Sequence, residues 1–98
     1  MKILLACGAG LSTSVLMKRV AKYAESKGIE LIIDATSANE APDKCAAYDC
    51  VLIGPQVSYQ LDALKKSCSV PVASIDPLDY SLGNAENVLK LAHTITGI

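Results

Sequence analysis

The sequence predicts an α/β fold, a four-stranded parallel sheet in the order 2-1-3-4 with helices on both faces. Three observations lead there. Short apolar runs alternate with segments of helical periodicity in the order βαβαβαβα. The strands are apolar along their length and the helices amphipathic, as in a parallel sheet covered on both sides. Right-handed crossovers around a central first strand then give the order 2-1-3-4.

The first strand covers residues 2–6, with Ile3-Leu4-Leu5-Ala6 at its centre. The first helix covers about 13–27. Leu16, Val20 and Ala24, with Met17 and Ala21, share one face, while Lys18, Arg19, Lys22 and Glu25 fall mostly elsewhere. Gly28 is its stop. The second strand covers 30–36 around Leu31-Ile32-Ile33. Ser37-Ala38-Asn39-Glu40 has the form of a capping box, but Pro42 restricts the second helix to a short one over about 40–47. Tyr48-Asp49 forms a turn into the third strand, Cys50-Val51-Leu52-Ile53, which ends at Gly54-Pro55. The third helix covers 57–67, with Val57, Leu61, Leu64 and Cys68 facing inward. The fourth strand covers 70–75 and tolerates Pro71 near its start. Residues 76–81 read as a loop. The fourth helix covers 84–96, with Ala85, Val88, Leu89, Ala92 and Ile95 on its apolar face.

Ninety-eight residues suit one domain, residues 1–98, without room for a separate catalytic lobe. About half the residues (51%) are hydrophobic and the net charge is −1, which argues against nucleic acid or an anionic membrane as partner. Four Tyr with no Phe or Trp argue against base-stacking platforms as well. Leu4-Leu5-Ala6-Cys7 superficially resembles a lipoprotein cleavage site, but only six residues precede Cys7, too few for a charged region and an apolar core. The expectation is a cytoplasmic protein. Cys7, Cys45, Cys50 and Cys68 contain no C-x-x-C pair, and no histidine lies near Cys45 and Cys50 to complete a zinc site. Cys45, Cys50 and Cys68 read as small buried hydrophobes, and no metal site is expected.

The stretch with chemistry in it is Cys7-Gly8-Ala9-Gly10-Leu11-Ser12-Thr13-Ser14, between the first strand and the first helix. Two glycines and an alanine let the backbone turn so that successive N–H groups point into one concavity. The N-terminal end of the next helix favours an anion there, and a thiolate over a thiol. Ligands of such sheets bind outside the carboxyl ends of the strands at the switch point between strands one and three, where Cys7 falls. Gly54-Pro55-Gln56 and residues 76–81 are the expected walls.

Three readings compete for Cys7. A phosphatase of the low-molecular-weight tyrosine phosphatase type uses C-x-x-x-x-x-R-[ST] on this topology, and Asp76-Pro77 falls where such enzymes keep an acid. The arginine position here is Thr13, followed by Ser14. A hydroxyl cannot replace the guanidinium fork that grips two phosphoryl oxygens. The same gap counts against an arsenate reductase. A phosphoryl carrier needs alignment and donors for the equatorial oxygens, and little that activates water. Backbone N–H groups of Gly8 to Ser14 supply such donors, with the hydroxyls of Ser12, Thr13 and Ser14 as auxiliaries. The third reading is an inert cysteine at a glycine-rich turn, which ranks second to the carrier.

The chain resembles the enzyme IIB subunits of the lactose/cellobiose class of the sugar phosphotransferase system. The resemblance rests on Lys2-Ile3-Leu4-Leu5-Ala6-Cys7, Ser12-Thr13-Ser14, Gly54-Pro55-Gln56-Val57 and Ile75-Asp76-Pro77-Leu78-Asp79-Tyr80, and it spans almost the whole chain. Members often carry methionine near Leu11, a mild departure. The resemblance implies a flavodoxin-like and low-molecular-weight phosphatase-like three-layer sandwich. It also implies a phosphotransferase in which Cys7 takes a phosphoryl group from a phosphohistidine of the IIA subunit. The group then passes to a sugar of the cellobiose, lactose or chitobiose type in the membrane-embedded IIC subunit. No cofactor is implied, and a carrier of this size works as a monomer.

Other residues carry lesser expectations. His93, the one histidine, reads as a solvent-facing helical residue, and Asp76 as a wall or helix cap before a catalytic acid. Tyr59 and Tyr80 fall near the crevice rim, to contact a partner or to pack. Lys18 and Arg19 stand too far along the first helix to replace a loop arginine. Leu11 is the expected exposed contact for partners.

Overall fold

In a computed structural model, which describes residues 1–7 and 11–97 (residues 11–13 by backbone alone), four strands form one parallel sheet. They are β1 (Lys2–Cys7), β2 (Ile32–Ser37), β3 (Cys50–Ile53) and β4 (Val72–Ser74). Their order is β2-β1-β3-β4, as the handedness rules predict. β1 pairs with β2 from Lys2 against Ile32 to Cys7 against Ser37, and with β3 from Ile3 against Cys50 to Ala6 against Ile53.

Alternation along the central strands divides the core into two layers. Ile3 and Leu5 of β1 and Cys50 and Leu52 of β3 meet Leu16, Val20 and Ala24 of α1 (Leu11–Ser26) and Val88, Leu89 and Ala92 of α5 (Ala85–Thr96). On the opposite face Leu4, Ala6, Val51 and Ile53 meet Ala41 of α2 (Ala41–Lys44) and Leu64 of α3 (Leu61–Ser67), with Cys45, Val57 and Cys68. The expected inward faces hold, except that Ala21 is exposed, since α1 turns that position away from the sheet.

Chain ends of the helices obey local chemistry. Gly28 adopts φ 69°, and the Ile29 N–H donates to the Ala24 carbonyl at 2.8 Å, closing α1 with the bond expected of a left-handed glycine cap. The Asn84 side chain accepts the Asn87 N–H and opens α5. The Lys2 N–H donates to the Asp49 carboxylate and the Asp49 N–H to the Lys2 carbonyl, each at 2.8 Å, so the start of β1 is tied to the turn before β3.

Several sequence expectations are corrected. Residues 76–81 are not a loop: α4 (Pro77–Leu82) forms there, because the Asp76 side chain accepts the Leu78 N–H at 2.8 Å, Pro77 occupies the first turn and Gly83 closes the helix at φ 64°. One and a half turns are too few to show a periodic apolar face, which hid this helix. The helix expected from 57 begins as a 3-10 segment, Pro55–Gln60, kinked at Val57 (φ −117°, ψ 20°), before α3 starts at Leu61. The short helix over 40–47 divides into α2 and a 3-10 turn, Cys45–Ala47. β2 starts two residues later than expected and is an edge strand with Ile32 exposed, while β4 is confined to three residues.

Candidate functional site

Cys7 is the last residue of β1, at the carboxyl edge of the sheet, and α1 begins four residues later at Leu11. It is buried, 4% exposed, and its carbonyl accepts the Ala38 N–H from the turn after β2 at 3.2 Å. α1 starts two residues earlier than expected, so Leu11 and Ser12 join Thr13 and Ser14 in its first turn. The expectations for Gly8, Ala9 and Gly10, and for the side chains of Leu11, Ser12 and Thr13, lie outside the described residues. Ser14 is half-buried.

The wall beside Cys7 is built by the end of β3. The Gly54 N–H donates to the Ala6 carbonyl at 2.9 Å, extending the β1–β3 ladder one residue past the strand. The Gly54 carbonyl accepts the Val57 N–H at 3.1 Å, and the buried Val57 side chain pins that turn onto the core. A Cβ added at Gly54 would stand 3.6 Å from Cys7 Cβ, 3.5 Å from Tyr80 Cε2 and 2.5 Å from Gln56 Oε1. Three segments therefore meet at Gly54, and a methyl there would displace only the tip of Gln56. Both expected walls meet there: Gln56 from the 3-10 segment after β3, and Tyr80 from α4.

The Asp76 carboxylate is committed to capping α4, which favours the capping reading over the acid. Tyr59 is 80% exposed, whereas Tyr80 is half-buried and packs against the α1–α5 side of the core. His93 is in the last turn of α5 and is half-buried rather than solvent-facing. Lys18 is exposed; Arg19 lies along α4, its Cδ 2.6 Å from where a Gly83 Cβ would stand, at a groove of about 280 Å³ that Val15, Tyr80 and Leu82 also line. Sequence reasoning missed this docking of Arg19, whose only signal was a glycine after a short capped turn.

All four cysteines are buried thiols outside any disulfide. Burial, with the neighbouring Asp49 charge, pushes the Cys50 thiol up to about 11. Burial and the hydrogen-bonded Cys45 thiol push Cys68 up to about 12. Such groups behave as small apolar side chains, as expected of them. Among the described residues no group of three or more His, Cys, Asp or Glu is placed to hold a metal ion, and no helix is long and apolar enough to cross a membrane.

A buried cysteine thus closes β1 at the carboxyl edge of the sheet, with a helix opening just beyond it. The family described as "PTS system, Lactose/Cellobiose specific IIB subunit" matches residues 2–91. The chain belongs to this family. It is similar to the oligo-beta-mannoside-specific EIIB component of Bacillus subtilis (strain 168), 36% identical over 93% of this chain and 91% of that one. It is 32% identical to the galactose-specific EIIB component of Lactococcus lactis subsp. cremoris (strain MG1363), over 95% and 94% of the two chains. Among solved structures, the cellobiose-specific IIB component from Borrelia burgdorferi superposes with a TM-score of 0.81 at 36% identity, covering 99% of this chain and 92% of that one. The lactose-specific IIB domain from Streptococcus pneumoniae shares the fold, with a TM-score of 0.84 at 15% identity, over 97% and 96%. These IIB domains have a flavodoxin-like fold, which the 2-1-3-4 sheet reproduces. As a IIB component of the cellobiose/lactose type, the chain is a phosphotransferase of sugar uptake and works with IIA and IIC partners.

Proposed function

We propose that this IIB chain carries a phosphoryl group on Cys7, received from a phosphohistidine of IIA and passed to a sugar bound by IIC. The observation that supports this most is the position of Cys7, last in β1 and just before the start of α1. In the first step Cys7 Sγ, as thiolate, attacks phosphorus; the S–P bond forms as the P–N bond breaks. The histidine nitrogen keeps the electron pair and takes up the proton that the thiol released. In the second step a sugar hydroxyl attacks, the O–P bond forms, the S–P bond breaks, and the hydroxyl proton goes to solvent as the thiolate leaves. Backbone N–H groups of Gly8, Ala9, Gly10, Leu11, Ser12, Thr13 and Ser14 hold the equatorial oxygens in both steps, and Leu11 is the contact offered to partners. Residues 1–98 act as one cytoplasmic IIB domain and as a monomer. The sugar is a β-linked disaccharide of the cellobiose (β-glucoside), lactose or chitobiose type.

The test is intact mass after incubation with phosphoenolpyruvate, the general phosphotransferase proteins and a cognate IIA. One phosphoryl group on the wild type and none on Cys7→Ser supports the carrier. Steady hydrolysis of an aryl phosphate with no adduct would make Cys7 a phosphatase nucleophile instead.

A further inference from the structure

Gln56 is placed as few exposed side chains are. Its own turn is anchored: Pro55 precedes it, the Gly54 carbonyl accepts the Val57 N–H at 3.1 Å behind it, and Val57 is buried. From this turn the exposed Gln56 side chain folds back over Gly54, and its Oε1 stands 2.5 Å from where a Gly54 Cβ would be. Cys7 Cβ lies within 4 Å of the same point, on the strand across the Gly54–Ala6 hydrogen bond. Neither polar atom of the carboxamide is hydrogen-bonded to any described residue. A neutral, donor-bearing group thus lies beside the end of β1 that carries Cys7, with its hydrogen-bonding capacity unspent.

We propose that the Gln56 carboxamide binds the phosphoryl group on Cys7, donating Nε2–H to a non-bridging oxygen. This rests on the carrier reading of Cys7. Rotation about the terminal torsion, which is broad and two-fold, turns Nε2 or Oε1 toward the site at little cost. A neutral amide suits a carrier. It stabilises a phosphoryl dianion by a charge-assisted hydrogen bond, but it is no base and cannot deprotonate an incoming water. Gly54 makes this possible by leaving the space that the carboxamide occupies.

The experiment uses the whole chain with a phosphorylated cognate IIA, comparing wild type, Gln56→Ala, Gln56→Glu and Gly54→Ala. Intact mass gives the fraction phosphorylated at equilibrium, and ³¹P NMR gives the chemical shift of the phosphocysteine. Gln56→Ala lowers the phosphorylation equilibrium constant about tenfold, the worth of one charge-assisted hydrogen bond. Gln56→Glu lowers it further, because a carboxylate accepts and repels where the amide donated. The ³¹P shift moves in both variants, which a purely structural role of Gln56 would not produce. Gly54→Ala, in which Gln56 is intact but displaced, behaves like Gln56→Ala. Wild-type equilibrium and shift in both Gln56 variants overturn the proposal and leave the carrier standing. A wild-type chain that takes no phosphoryl group overturns the carrier reading itself.

Discussion

Gly54 packs against Cys7 so closely that a Cβ on the glycine would lie 3.6 Å from the cysteine Cβ, an ordinary van der Waals contact. The backbone at Gly54 is extended, φ −68° and ψ 152°, a conformation any residue adopts. Space for Gln56, not a left-handed turn, is what this glycine provides.

Gly54→Ala therefore folds as well as the wild type. The methyl meets Cys7 and Tyr80 at ordinary distances and displaces only the far end of Gln56, so the thermal midpoint changes by a few degrees at most. Thermal unfolding monitored by circular dichroism checks this. A loss of ten degrees or more would mean that the Gly54 turn is packed too tightly for any side chain.

Asp76→Ala removes the acceptor for the Leu78 N–H and costs about 1 kcal/mol, read as a lower urea midpoint. Asp76→Asn keeps a capping oxygen and recovers most of the stability. Phosphoryl transfer persists in Asp76→Asn, because the carboxylate serves α4 and not the reaction. Abolished transfer in a stable Asp76→Asn chain would return Asp76 to the catalytic acids.

Stability falls as the medium becomes alkaline. Cys50 and Cys68 hold their protons more tightly folded than unfolded, at about 11 and about 12. Between the ordinary thiol range, roughly 8.5, and those values the unfolded chain binds fewer protons, so the free energy of unfolding decreases with pH. Their contribution is complete below pH ~8 and lost as pH rises toward 11. Urea midpoints measured from pH 7 to 10.5 show the decline, and Cys50→Ala with Cys68→Ala flattens it while lowering the neutral-pH value. An unchanged slope in that double variant would assign the alkaline loss to other groups.

Tyr48 donates its hydroxyl to the Asp34 carboxylate at 2.6 Å, and this hydrogen bond, ahead of burial and the carboxylate charge, raises the phenol above its ordinary 10.0. The pair is largely solvated, so Tyr48→Phe costs only about 0.5 kcal/mol near neutrality. That difference closes as the pH passes the raised phenol value, where a phenolate faces a carboxylate. Equal stability of the two chains at pH 7 would mean that water replaces the bond without loss.

Much of the architecture was legible before any coordinates. The apolar runs are buried in the central strands, and Leu16, Val20, Ala24, Val88, Leu89 and Ala92 are the helix residues that face them. Such periodicity reports burial directly, because a side chain's face is set by its position along a helix or strand. Sheet order came from chain handedness, and Cys7 at the sheet's carboxyl edge came from that order. The tertiary structure alone decided the rest. Asp76, Pro77 and Gly83 cap a helix too short to leave a periodic signature, and Arg19 docks along it. Gln56 folds over Gly54 toward Cys7, and the Cys45 and Cys68 thiols meet across the α2–α3 layer. Each of these joins residues distant in sequence or depends on the rotamer of one side chain, and only packing sets such distances.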